Sequence, residues 1–236
     1  MKELPRGARL YWFAVVASAA AVVAFASARA VTSFHEFGVR TWVSVLALVC
    51  LAFICERMSI PLLSFEDEAA THSIGSVAGI AAVIVLPWYI AIPLLPVAIA
   101  WSQRGRSAVR ALFNISHSAL SVAAAASVFQ LAGGIAALHT TNPASAARSL
   151  GVMVAMGVVY YVFGSGLVSA MVGQASGQRV WDVYHANHLN TMLQEATAIG
   201  LGLLLGGFWL YNPAFTPFVG LPVVMAYFSI ETFVRI

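Results

Sequence analysis

The strongest constraint on the fold is an apolar run that directly follows three arginines. The run covers residues 111–132 and contains no aspartate, glutamate, lysine or arginine. An apolar stretch of about 20 residues is long enough to cross a bilayer as a helix. Basic side chains at the end of such a helix favour the cytoplasmic face. The sequence therefore predicts a transmembrane helix whose topology anchors are Arg104, Arg106 and Arg110.

Composition extends this assignment to the rest of the chain. Hydrophobic residues make up 61% of the sequence, charged residues only 9%, and the mean hydropathy is +0.87. Soluble domains carry about 25% charged residues, so the composition excludes a soluble fold. The apolar runs are continuous rather than alternating, which excludes a transmembrane β-barrel. We therefore expect an all-α, polytopic transmembrane bundle, with residues 1–236 forming a single integral membrane domain.

The basic character of the chain does not indicate nucleic-acid binding. The net charge is +3 and the isoelectric point is near 9.1, but the lysines and arginines stand at the ends of apolar runs. This distribution is typical of topology signals in membrane proteins. The expected surroundings are a lipid bilayer and one or more protein partners in the membrane, without nucleic acid.

The apolar runs predict about six to eight helical segments. Full spans are expected at about residues 10–28, 41–55, 111–132, 149–173, 191–211 and 216–233. Residues 29–40, 133–148 and 174–190 are expected to be loops between these spans. The most polar internal stretch, residues 59–73, is expected to lie on the membrane surface with its acidic side chains in water.

Residues 74–101 admit two interpretations, because Pro87 and two later prolines interrupt the apolar run. One span of about 20 residues would leave a surplus, whereas two spans would each be short for a hydrocarbon core of about 30 Å. A short broken hairpin leaves only Arg29, Arg40 and Arg148 on the outside, whereas a single crossing would move the arginine triplet there, against the positive-inside rule. We therefore expect the hairpin, and both termini in the cytoplasm.

Polar side chains in the first half of the run at 111–132 form a candidate ligand site or polar core. Asn114, His117 and Ser121 stand at i, i+3 and i+7, so they share one helical face that should point into the bundle. An imidazole at that depth could bind a metal, a pigment or the polar head of a ligand. A hydrogen bond between helices is the usual alternative. No cofactor can be named from the sequence.

A second set of polar residues could ligate a metal. Asp182, His185 and His188 stand at i, i+3 and i+6, and His72 is expected on the same side of the membrane. Because i and i+6 diverge by about 240° around a helix, one turn presents all three poorly. An interfacial belt around the neighbouring tryptophan and tyrosine is the alternative interpretation.

Three stretches together resemble a known class of membrane domain. They are the hairpin ending LPWYIAIPLLPVAIAW, the basic turn leading into RALFNISHSALSVAAAASVFQLAGG, and the close FSIETFVRI. The order of segments resembles the N-terminal membrane sensor domain of bacterial signalling proteins that carry HD-type phosphohydrolase, GGDEF or histidine-kinase domains. The resemblance implies a multi-pass protein of the bacterial cytoplasmic (inner) membrane. The output domain of those proteins is not found in this sequence, so their catalytic functions are not carried over.

Two functions remain open at this stage, and neither is enzymatic. No nucleophile and base pair, phosphate-binding glycine loop or zinc-hydrolase spacing stands in the sequence. The resemblance implies a non-catalytic, sensor-like or scaffold module that binds a partner protein or a small apolar ligand. The alternative is a membrane subunit of a larger complex, such as the substrate-binding component of a transporter or an accessory subunit of an energy-transducing assembly.

Overall fold

The fold is a bundle of α-helices. The computed structural model describes residues 4–57, 60–61, 71–72, 75–104, 107–138 and 143–212. In chain order the helices are α1 (Arg6–Thr32), α2 (Val39–Arg57), α3 (Ser76–Val85), α4 (Trp88–Ser102), α5 (Ala108–Leu131), α6 (Pro143–Ser176) and α7 (Val180–Tyr211). Two 3-10 helices, Phe34–Glu36 and Gly134–Leu138, follow α1 and α5, and two-residue strands β1 (Ile60–Pro61) and β2 (Thr71–His72) pair antiparallel. The span expected at residues 216–233 lies outside the described residues.

Five of the described helices are long and apolar enough to cross a membrane, namely α1, α2, α5, α6 and α7. The two shorter apolar helices are α3 and α4, with 10 and 15 residues. The chain is therefore a multi-pass helical membrane protein, as its composition predicts.

Contacts between neighbouring helices fix their relative directions. Trp12 Nε1 near the start of α1 donates to the carbonyl of Val109 at the start of α5, at 2.9 Å, so these two helices run parallel. Tyr11 donates to the carbonyl of Leu167 near the end of α6, at 3.1 Å, so α1 and α6 run antiparallel. Near the end of α7, Trp209 lies against the start of α2. The starts of α1, α3, α5 and α7 consequently lie at one end of the bundle.

This end carries most of the arginines, and we call it the basic end. It contains six described arginines: Arg6, Arg9, Arg57, Arg104, Arg110 and Arg179. The opposite end carries Arg29, Arg40 and Arg148. The structure therefore groups the described arginines as the hairpin interpretation predicts.

The hairpin consists of α3 and α4, joined at Leu86 and Pro87. Leu86 is extended (φ −108°, ψ 153°), as expected for a residue before proline, which disfavours helical backbone there. Beside this turn, Trp88 stacks on Phe25 with ring centroids 5.7 Å apart, near the far end of α1. These residues form two short helices, as the hairpin interpretation expects.

Helix α3 lies at the centre of the bundle. Every residue from Ser76 to Ile84 is buried, and the helix contacts α2, α4, α5 and α7. Its sequence is apolar on all sides, which is typical of a helix without a solvent-facing side. The helices around α3, rather than α3 itself, therefore provide the surface that faces lipid.

Glycines on α7 permit the close approach of α3. A Cβ atom at Gly202 would lie 2.7 Å from the carbonyl oxygen of Val77, and one at Gly206 would lie 2.9 Å from Ile84 Cβ. Small residues at this spacing allow two helix backbones to touch. The α3–α7 contact is therefore a direct backbone contact within one chain.

Three predicted loop boundaries are wrong. Helix α1 continues to Thr32, α6 already begins at Pro143, and α7 begins at Val180 within the segment expected to be a loop. Proline fits the first position of a helix, because its missing N–H group has no partner there in any case. In α7, Asp182 occupies the first turn, where a negative charge complements the helix dipole. Polarity in these segments marks the membrane interface rather than the end of the helix.

Candidate functional site

Polar side chains converge near the basic end of α3, although most of the bundle interior is apolar. We call Glu56, Ser76, His117, Tyr160 and Glu195 the inner polar cluster. They come from five different helices, α2, α3, α5, α6 and α7 respectively. The cluster lies where this central helix starts, because Tyr160 packs against Gly79, one turn from Ser76.

Tyr160 is the centre of the inner polar cluster. Its side chain is 8% exposed, and its hydroxyl shares a hydrogen bond with the Ser118 side chain. The carboxyl groups of Glu56 and Glu195 both interact electrostatically with this hydroxyl. A Cβ atom at Gly79 would lie 3.7 Å from Tyr160 Cε2, so the ring packs against the first turn of α3. Tyr160 therefore packs against α3, bonds to α5 and lies within electrostatic range of both carboxyl groups.

Protein encloses the Glu56 carboxyl group and one oxygen of the Glu195 carboxyl group. Glu56 is 7% exposed, and its Oε2 accepts a hydrogen bond of 3.2 Å from Ser102 at the end of α4. The Oε2 atom of Glu195 is buried, and its carboxyl group interacts with His117 as well as with Tyr160. Buried charges in membrane helices are costly and usually functional, so this arrangement distinguishes the cluster from the apolar core around it.

Buried polar atoms of a serine and a histidine in the cluster have no hydrogen-bond partner among the described residues. They are Ser76 Oγ, on a residue that is only 5% exposed, and His117 Nδ1. The His117 ring lies 5.7 Å from the Phe113 ring, on the apolar side of the cluster. Buried polar groups without partners are rare in native proteins, and each needs an explanation.

The other two residues of the predicted face have partners elsewhere. Asn114 Nδ2 donates to Gln103 Oε1 at 3.3 Å, so Asn114 fastens the turn between α4 and α5 and forms no hydrogen bond with His117. Ser121 is 2% exposed, and its hydroxyl donates to the carbonyl of His117 at 2.7 Å. Its side chain faces α6, where a Cβ atom at Gly164 would lie 2.9 Å from Ser121 Oγ. The shared face is real, but only His117 reaches the cluster.

The described residues include no group of three potential metal ligands. Asp182 and His185 are exposed on α7, and Trp181 packs edge-on against His185 with ring centroids 4.5 Å apart. The side chains of His188 and His72, the remaining metal candidates, lie outside the described residues. An aromatic belt at the membrane interface is the arrangement that the described part of this segment resembles.

The arginine anchors stand at the basic end. The Arg104 guanidinium lies 3.4 Å from the centroid of the Trp101 ring, a cation–π contact at the end of α4. Arg110 occupies the first turn of α5. The third anchor, Arg106, lies outside the described residues.

The residues that sequence reasoning missed are Glu56, Ser76, Tyr160 and Glu195. Glu56 reads as the polar exit of a span, and Glu195 as a boundary residue that water keeps ionised. The available signal was that both carboxylates directly adjoin apolar runs, where ionisable residues usually face the bundle interior. Their approach to one tyrosine depends on tertiary packing, which the sequence does not display.

Comparison of the chain with protein-family models, with curated proteins and with solved structures found no significant match. The functional conclusion therefore rests on the geometry of the inner polar cluster and on the helices around it.

Proposed function

We propose that this chain is a non-catalytic, sensor-like membrane module whose inner polar cluster binds a small, largely apolar ligand through a polar head group. The observation that carries the proposal is the pair of buried atoms, Ser76 Oγ and His117 Nδ1, that lack partners among the described residues. An unpartnered buried polar group costs about 1–3 kcal/mol, and a ligand that bonds to it removes this cost. The surrounding apolar side chains suit the remainder of such a ligand.

The position of the cluster supports a sensor role. Each of its residues belongs to a different helix, so a ligand that bonds several of them favours one relative arrangement of those helices. A ligand shifts a conformational equilibrium only through such differential contacts. The basic end, near which the cluster lies, is where a partner protein would read the shift.

The topology in this proposal places the basic end and both termini in the cytoplasm. Arginines prefer the cytoplasmic side of short loops, and the described basic end holds Arg6, Arg57, Arg104, Arg110 and Arg179. The membrane is proposed to be the cytoplasmic membrane of a bacterium. This also agrees with the proposed kinship to the membrane sensor domains of bacterial signalling proteins.

A second function, as a subunit of a larger membrane complex, is favoured by the surface of α6. Only 17% of an apolar 18-residue stretch of α6 is buried, compared with 50% of the corresponding stretch of α5. Exposed valines at Val154, Val158 and Val162 follow a spacing of four residues along one side of the helix. An open apolar groove is lined by Val158 and Val162 of this stripe and by Tyr11 of α1. This face could be covered by lipid or by a neighbouring helix of a transporter or energy-transducing complex.

The test of the ligand proposal compares three purified proteins. The parent chain, Ser76→Ala and Ser127→Ala are extracted from native membranes in mild detergent, and bound small molecules are identified by mass spectrometry. Ser127 is a matched control, because it is exposed on α5 and donates to a carbonyl of its own helix at 2.8 Å. We expect parent and control to retain the same molecule, and Ser76→Ala to retain less. Loss of about 0.6–1.7 kcal/mol of interhelical or ligand hydrogen bonding corresponds to roughly 3-fold to 20-fold weaker retention.

A different pair of results would contradict the ligand proposal. If no molecule is retained and Ser76→Ala is more thermostable than the parent, the hydroxyl was an unrelieved desolvation cost, and the ligand proposal is wrong. Cross-linking from Val158 in native membranes tests the second function, the role as a subunit of a larger complex. Capture of one defined polypeptide, in place of lipid, would favour the subunit.

A further inference from the structure

The starts of α1 and α5 lie side by side at the basic end. The hydrogen bond from Trp12 Nε1 to the carbonyl of Val109 places the first turn of α5 beside the second turn of α1. Trp12, Val15 and Phe113 form a separate apolar cluster directly beyond this contact. The apolar cluster therefore closes the seam between the two helices toward the interior of the bundle. The seam remains open at the basic end.

Positive charge collects at the open side of this seam. Arg6 and Arg9 stand on the first turn of α1, and Arg110 stands on the first turn of α5. These two described turns contain no acidic residue, and neither helix has a side-chain hydrogen bond at its N-cap. The first N–H groups of each helix add partial positive charge, because they lack partners within the helix. The potential at the seam favours an anion.

Arg9 supplies an independent indication of a missing partner. Its Nε atom is buried and has no hydrogen-bond partner among the described residues. Arg9 lies one turn before Trp12 on the same face of α1, beside the seam, and its side chain as a whole is partly exposed. A guanidinium N–H group that is withdrawn from water is costly unless a hydrogen bond compensates it. Phosphate is an anion that such a fork can hold with two parallel hydrogen bonds.

The apolar side chains beside these arginines indicate which phosphate compound fits. Leu10 is 72% exposed and Phe13 is 54% exposed, and with Arg6 they stand at i, i+4 and i+7 on one face of α1. A lipid lying along this face would place its acyl chains on Leu10 and Phe13 and its head group at the arginines. A soluble phosphate compound would leave these side chains uncovered.

We propose that Arg6, Arg9 and the first turn of α5 form a binding site for the phosphate of an anionic phospholipid head group. The site is separate from the inner polar cluster. Basic pockets between membrane helices at the cytoplasmic surface are suited to anionic head groups, and each arginine near such a surface contributes about 1 kcal/mol.

The test uses the purified chain in phosphatidylcholine micelles titrated with phosphatidylglycerol, with retained lipid counted by native mass spectrometry. Arg9→Gln is compared with Arg148→Gln, which makes the same change of charge at the opposite end of the bundle. We expect phosphatidylglycerol retention to fall about fivefold in Arg9→Gln, and Arg148→Gln to match the parent. Arg9→Lys should lose less phosphatidylglycerol than Arg9→Gln, because lysine keeps the positive charge. It should still retain less than the parent, because lysine lacks the planar guanidinium that forms two parallel hydrogen bonds.

Three results would each overturn the proposal. The first is equal retention of the two lipids by the parent, and the second is an equal loss in Arg148→Gln. The third is stabilisation by inorganic phosphate that matches stabilisation by phosphatidylglycerol, which would indicate a site for free phosphate. Neutralising Glu66, Asp67 and Glu68 adds a further arm. If that change destabilises the parent but not Arg9→Gln, the anion at Arg9 is the chain's own acidic segment rather than a lipid.

Discussion

Replacing Gly202 with alanine tests the close contact between α3 and α7. The added Cβ would lie 2.7 Å from the carbonyl oxygen of Val77 and 2.9 Å from Ile80 Cβ. Neither atom can move away by a change of rotamer, because one belongs to the backbone and the other is bonded to it. The two helices must separate, and α3 has no free space on its other sides because its residues are buried.

The magnitude follows from a comparison within the same helix. Gly200 also lies in α7, but a Cβ atom there would have nothing within 4 Å. Alanine in place of a helical glycine gains roughly 0.5–1 kcal/mol at either position. Overpacking at Gly202 adds a cost of about 1–3 kcal/mol, so the difference between the two variants is about 1–3 kcal/mol. This difference cancels the helix propensity and isolates the packing contribution.

Thermal unfolding in detergent, followed by tryptophan fluorescence, measures the effect. For a protein of this size about 1 kcal/mol corresponds to roughly 2–4 °C in Tm. We expect Gly200→Ala to unfold at or above the parent temperature, and Gly202→Ala to unfold below Gly200→Ala by several degrees. Equal melting temperatures for the two variants would show that the helices are not in backbone contact, and the reasoning would be refuted.

Three further predictions use other contacts of the bundle. Trp209→Phe removes the buried 2.9 Å hydrogen bond from Trp209 Nε1 to Ser44 Oγ, and it should lower stability by about 0.6–1.7 kcal/mol, an effect that must shrink when Ser44→Ala is already present. Tyr160→Phe removes the hydroxyl that bonds to Ser118 and should lower the melting temperature, whereas an unchanged value would exclude a stabilising role for that bond. Single cysteines at Ser107 and Ser145, in a cysteine-free background, should react with an impermeant reagent from opposite sides of the membrane, and labelling from the same side would contradict the hairpin.

The long helices could be predicted from the sequence because lipid imposes a minimum length and excludes charge. The hairpin could be predicted because the arginine triplet must lie on the same side as Arg6 and Arg9. The central position of α3 could not be predicted. The sequence of a helix that is apolar on all sides does not show whether the helix faces lipid or other helices. The residues that bring α7 against α3 are Gly202 and Gly206, which are distant from α3 in the sequence.

The candidate site was only partly predictable for a related reason. The periodicity of α5 places His117 and Ser121 on one face, but it does not identify their partners. Glu56 and Glu195 approach Tyr160 through the packing of α2, α6 and α7. Helix periodicity is a local property of one segment, whereas this convergence depends on contacts between distant segments.

The burial of α3 also has a consequence for how the protein is made. A helix of 10 residues is about 15 Å long, roughly half the hydrocarbon thickness, so α3 cannot be inserted as an independent span. Its closest backbone partner, α7, is synthesised only after α4, α5 and α6. Until then the face of α3 that Gly202 and Gly206 will cover has no permanent neighbour. A chain halted before α7 would therefore present this face of α3 to the bilayer, or to quality-control proteases, as part of an unfinished bundle.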